Sequence, residues 1–187
     1  MCSWLTATRA AARSRLVSPE EVATTDLTGF AGVWLVDVPA LSADAIEAIE
    51  RYVRGGGGVV MFCGPRTRAD VVSSTLHRGG AGFFPVPLAG AVDLLPSATG
   101  AATPDVVVED HPVVAVLAGG RNPLLDAVRV ERLWAVARGY DLDAGGCRRL
   151  LSVRTGQPLV VPAARYAEHL DPDYLRERAR LIGPQRM

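Results

Sequence analysis

The sequence predicts a single α/β domain built around a parallel strand pair, and three features carry that expectation. "GVWLVDV" places a nearly continuous apolar strand at Val33–Val38, "LSADAIEAIERYVR" is an amphipathic helix, and "VVMFC" is a second apolar strand at Val59–Cys63. Strand, helix and strand in that order make a β-α-β unit, which crosses over right-handed and brings both strand C-termini to one sheet edge. A chain of 187 residues, 49% hydrophobic and 21% charged, suits one core.

Residues 1–17 read as a loose or helical leader, because "MCSWLTATRAAARSRL" has arginines and small residues but no continuous apolar core of a signal peptide. Ser18 before Pro19 and two acids is a helix start. The unbroken apolar character of Val33–Val38 predicts a strand covered on both faces. In the following helix Ser42 is the N-cap, Ile46, Ile49 and Val53 share one face, and Gly55 takes the left-handed position that ends it. Glu47/Arg51 and Glu50/Arg54 are i,i+4 pairs expected on the solvent side. Gly55–Gly58 follow a helix and open a strand, the reverse of a phosphate-binding loop, so they read as a helix stop and tight turn.

Beyond Cys63, "RTRADVVSSTLHR" is a second helix and "GGAGFFPVPLAG" a structured loop in which Phe83 and Phe84 pin the chain to the core. "AVDLLP", "DVVVEDHPV" and "VRVERLWAV" read as strands, the last with Trp134 inward, and "NPLLDAV" as a helical turn. Thr155-Gly156 centres a hairpin in "RRLLSVRTGQPLVVP". Residues 162–187 form an arginine-rich helical tail that includes "PDYLRERARLIG".

Charge and composition exclude several functions. Twenty basic and twenty acidic residues give zero net charge, which argues against nucleic acid as a partner. Every basic residue is arginine, so lysine Schiff bases and a Walker-type phosphate lysine are ruled out. Cys2, Cys63 and Cys147 lack zinc-site or disulfide spacing, and adjacent Glu109, Asp110 and His111 are poorly disposed to converge on one ion, so no metal or cofactor is expected. No apolar stretch approaches the roughly 20 residues needed to span a bilayer. The expectation is a soluble, cytoplasmic chain without direct membrane insertion.

Several stretches together, "VWLVDVPALSADAIEAIERYVRGGGGVVMFCGP", "GFFPVPLAG", "EDHPV" and "LLDAVRVERLWAV", resemble a class I glutamine amidotransferase-like domain. Such domains occur in large bacterial proteins, notably planctomycete ones, beside BatA-type and von Willebrand A modules. The resemblance covers about residues 18–161, and its most specific part is Asp37-x-Pro39, the helix and "YVRGGGG". It implies a flavodoxin-like three-layer α/β sandwich with a mostly parallel sheet, non-catalytic in most relatives, some of which are membrane-anchored as full-length proteins. Two departures mark a partial copy: the first strand with its Asp-Gly turn is missing before residue 33, and the tail replaces the closing strand. Exposed sheet edges then favour protein partners or self-association.

A class I amidotransferase carries its cysteine in a G-x-C-x-G elbow, where small flanks and free N–H groups serve the thiolate and the oxyanion. Cys63 follows a suitable strand, but Met61 and Pro65 stand at the two glycine positions. The H-x-acid base pair is found only at His169 and Asp171, in the tail; His77 lies in a helix and His111 in a turn. Asp37, Pro39, Cys63, Gly64 and His111 are the pocket candidates, with Cys63 the one weak catalytic candidate. The leading reading is a non-catalytic interaction or small-ligand module of a larger assembly. The alternatives are a cysteine-dependent amidotransferase or hydrolase using Cys63, and a truncated gene product without independent function. Asp37 is expected to brace residues 40–44.

Overall fold

The computed structural model of the chain describes residues 14–95, 104–111, 114–118 and 122–162. Its clearest unit is β1 (Gly32–Val36), α1 (Ala43–Arg54) and β2 (Gly58–Phe62), in which the strands pair in parallel from Gly32↔Gly58 to Val36↔Phe62. The helix starts where the sequence says it should: the Ser42 hydroxyl accepts the Ala45 N–H at 3.2 Å, relieving one of the unpaired donors of the first turn. Its end differs by one residue. Gly55 keeps φ −77° while donating to the Arg51 carbonyl, and Gly56 adopts the left-handed φ of 92° that a side chain resists.

The mostly parallel, flavodoxin-like sandwich is not what forms. After β2 a helical stretch runs from α2 (Ala69–Val71) through a wide π turn at Val72–His77 to a 3-10 turn at Arg78–Gly80. Then come β3 (Leu88–Asp93), β4 (Val106–Val108), α3 (Pro123–Ala127), β5 (Arg132–Val136), β6 (Leu151–Val153) and β7 (Pro158–Val160). β3 pairs with β5, and β4 with β6 and β6 with β7, all antiparallel, so the only parallel sheet among the described residues is the two-stranded β1-β2. A helical stretch as long as α1 does follow β2, but the strand it leads to, β3, pairs antiparallel with β5 and not with β2. The hairpin around Thr155-Gly156 forms as read, with the Val153 N–H donating to the Gln157 carbonyl at 2.8 Å.

Two apolar clusters fill the interior, and α1 belongs to both. Ala45, Ile49 and Tyr52 pack with Val22, Leu27 and Leu35, while Ile46 packs with Val72, Leu76, Phe84, Val86 and Cys147. Phe84 is buried and Trp134 packs against the second cluster, as the sequence suggests for both. Glu50 departs from the expectation of a solvated pair: it is buried, and accepts from Arg54 at 3.2 Å and Arg78 at 2.6 Å. Arg78 holds a left-handed φ of 47° at this contact. Glu47 and Arg51 do lie on the solvent side.

The face of β1-β2 away from α1 corrects another expectation, that the first strand is covered on both sides. Val33 and Leu35 pack into the α1 cluster with Val59 and Met61, but the alternating residues are exposed: Trp34 68%, Val36 64%, Val60 44% and Phe62 46%. The Trp34 and Phe62 rings lie 5.5 Å apart on this face. Residues 1–13 of the leader and 163–187 of the tail lie outside the described residues.

Candidate functional site

The ends of β1 and β2 do meet, and three of the five pocket candidates meet with them. β1 stops at Val36, so Asp37 is the first residue beyond the strand; its N–H donates to the Phe62 carbonyl at 2.9 Å, which extends the parallel ladder, and its φ of 48° turns the chain away. The carboxylate then reaches across rather than along the chain. Its Oδ1 accepts the Arg66 N–H at 2.8 Å, so Asp37 braces the loop after β2 and not residues 40–44, whose first turn is already served by Ser42.

That loop is closed on itself as well. The Gly64 N–H donates to the Thr67 hydroxyl at 2.9 Å, and the Thr67 N–H returns to the Gly64 carbonyl at 3.0 Å. A Cβ on Gly64 would stand 2.5 Å from the Asp37 carboxyl carbon, so this close approach requires glycine. The one N–H that an oxyanion hole could have used next to Cys63 is therefore already spent on Thr67. Pro65 supplies none.

Cys63 itself is half-buried. Burial pushes its thiol pKa up, the hydrogen bond with Thr67 pulls it down by less, and the negative charge of Asp37 raises it again. Each of the two raising causes disfavours the thiolate, the opposite of what a nucleophilic cysteine needs. The histidines serve elsewhere. His77 is buried with Nδ1 3.1 Å from the Phe84 carbonyl oxygen and its ring edge-on to Tyr140, a structural placement. His111 follows β4 in the three-stranded sheet, where its carbonyl accepts the Val114 N–H at 3.0 Å. His169 and Asp171 fall outside the described residues.

A large concavity lies alongside β2 rather than over the two strand ends. A cleft of 1040 Å³ runs along β2, lined without interruption by residues 57–65 on one side and by residues 158–162 on the other, with Phe83, Phe84, Val86 and Trp134 between. Cys63 and Gly64 sit at one end of it; Asp37, Pro39 and His111 do not line it. Half-buried Pro39 only leads the chain toward α1. Among the described residues of the walls Arg132 is the one charged side chain, and the others suit apolar groups.

Sequence reasoning missed this cleft because it assumed further parallel strands beside β2. Among the described residues β2 pairs with β1 alone, and apolar runs in the sequence do not show which strand, if any, takes its other edge. Among the described residues no group of three or more His, Cys, Asp or Glu side chains is placed to hold a metal ion. No helix among them is long and apolar enough to cross a membrane. Comparison of the chain with protein families, with curated proteins and with solved structures gives no match.

Proposed function

We propose that this chain is a non-catalytic interaction module of a larger assembly, a relative of the glutamine amidotransferase-like domains, engaging protein partners through open strand edges. The observation that carries the reading is the locked loop at Cys63, whose thiol is held protonated by burial and by Asp37 and whose neighbouring N–H is taken by Thr67. The β1-α1-β2 unit with its Ser42 cap is the part of the resemblance that the fold keeps, the mostly parallel sheet being the part it does not. Apolar cleft walls and an edge of β2 that no strand among the described residues pairs favour a polypeptide over a polar metabolite. Zero net charge speaks against nucleic acid. Cys63 and Cys147 are both free thiols, in keeping with a reducing, cytoplasmic setting.

Alkylation of the whole chain with iodoacetamide near neutral pH, read by mass on the peptide that carries Cys63, tests this. Labelling slower than that of free cysteine, no glutaminase activity, and a Cys63→Ala variant that keeps the partners of the parent assembly are the expected results. Fast labelling at Cys63 together with an activity lost in Cys63→Ala overturns the reading in favour of a cysteine hydrolase.

A further inference from the structure

We infer that the cleft beside β2 is a receptor groove for one extended strand of a partner polypeptide, which adds to the open edge of β2 and alternates apolar with polar side chains. Taking a polypeptide as the occupant rests on the interaction-module reading; its conformation and side-chain pattern come from the groove itself. In a parallel ladder a residue turns its N–H and C=O to one side, and the next residue turns its own to the other. The Asp37 N–H donates to the Phe62 carbonyl at 2.9 Å, so Phe62, Val60 and Gly58 address β1. Val59, Met61 and Cys63 therefore aim their backbone groups at the opposite edge, where no strand among the described residues pairs with β2. All three line the cleft. Such a row of alternating donors and acceptors is answered by another extended backbone.

The dimensions select a strand over other polypeptide shapes. The wall formed by residues 57–65 is about 30 Å long at the rise of an extended chain. Spread over that length, the 1040 Å³ of the cleft leave a channel of about 35 Å² in cross-section. One strand in stacked sheets takes roughly 48 Å², with neighbours about 4.8 Å to the side and about 10 Å above. An α-helix, about 10–12 Å across with its side chains, is too wide. The facing wall, residues 158–162, carries β7, which pairs with β6 on one edge and with no strand among the described residues on the other.

The two sides of the channel differ, and that difference sets the side-chain pattern. On one side Met61, Cys63, Trp134 and Val161 are only partly buried and pack against Phe84 and Val86, a core layer that borders the cleft. Every second side chain of the added strand extends that layer and is apolar. On the other side Val60 and Phe62 are 44% and 46% exposed, so the alternate positions lie beside solvent and accept threonine or another polar residue. Arg132 on the wall is already paired with Asp93 at 2.6 Å, so the strand needs no acidic residue to meet it.

Amide hydrogen exchange of the full chain, with and without a probe peptide, tests this. The probe is an acetylated seven-residue peptide that alternates valine and threonine, ended by a pair of lysines for solubility. In the free monomer the Val59 and Met61 amides should exchange near the rate of open chain, and saturating probe should slow them about tenfold or more. N-methylation at every second residue of the probe keeps its side chains and removes half its donors; of the two phases, the one that faces β2 should bind about tenfold more weakly. No binding at millimolar probe overturns the strand, as does equal binding by both methylated phases. Protection of Val59 and Met61 in the free monomer overturns it as well, because the chain then fills its own groove. Protection that grows with concentration alongside a dimer assigns the groove to a second copy and overturns it too. Each of these failures leaves the Cys63 labelling result standing, whereas fast labelling at Cys63 strikes the non-catalytic reading and leaves the exchange data to decide the groove.

Discussion

The two faces of the β1-β2 pair are built from the same kinds of residue and have different surroundings. Toward α1, Leu35 is buried with Ala45, Ile49 and Tyr52 behind it; one residue away along the strand, Trp34 and Val36 meet no such layer among the described residues. Charges follow the same division. Glu50, on the covered side of α1, is buried between Arg54 and Arg78, whereas Glu47 pairs with Arg51 in solvent. A side chain's value to the fold is thus set by what stands opposite it rather than by its own hydrophobicity, and substitutions on the two sides should cost different amounts.

The largest contrast lies in apolar truncation. Ile49→Ala removes a fully buried side chain and should destabilise the chain by about 2–5 kcal/mol in urea unfolding. Val60→Ala, on the half-exposed face, should cost no more than about 1.5 kcal/mol by the same measurement. Equal losses would break the comparison. Among the charges, Arg78→Ala leaves the buried Glu50 carboxylate with Arg54 alone and should cost about 1–3 kcal/mol. Arg51→Ala disrupts only a solvent-exposed pair and should fall within about 0.5 kcal/mol of the parent.

The site gives smaller effects. Asp37→Ala removes the acceptor for the Arg66 N–H and should lower stability by about 1 kcal/mol, with faster hydrogen exchange at Arg66 as its local signature. Asp37→Gly loses the same acceptor but relieves the φ of 48°, so it should be the milder of the two. The smallest effect is alkaline. Burial raises the Cys63 pKa above its ordinary 9.0 in the folded chain, so the unfolded chain ionises first. Stability is intact below that value, falls as pH rises from it toward the higher folded value, and levels beyond. Cys63→Ser should therefore show a shallower alkaline loss in melts taken above pH 9.0 than the parent. An equally steep loss in both would mean that burial of this thiol does not set it.

Much of the local structure was legible. The Ser42 cap, the Ile46 and Ile49 stripe, the two strands around α1 and the Thr155-Gly156 hairpin all depend on residues within a few positions of one another, where spacing and side-chain chemistry decide the outcome. Sheet direction after β2 was not legible from apolar runs, since a run of Val and Leu reads alike whether its partner lies parallel or antiparallel. The cysteine motif was readable in part. Met61 and Pro65 already departed from an elbow, but the spent N–H of Gly64 and the crossing carboxylate of Asp37 are contacts between separate segments.

By itself, then, the sequence determined a capped amphipathic helix between two apolar strands, a hairpin near residue 155, and a chain without lysine chemistry or net charge. Those features follow from local spacing, backbone preference and composition, each complete within its own segment. Only the tertiary structure decided that the strands beyond β2 pair antiparallel, that Glu50 is buried, that Asp37 serves Arg66, and that Trp34 and Val36 face outward. Each of these depends on which distant segment arrives opposite a given side chain, because burial and hydrogen bonding are properties of a pair of surfaces, and one strand specifies only its own.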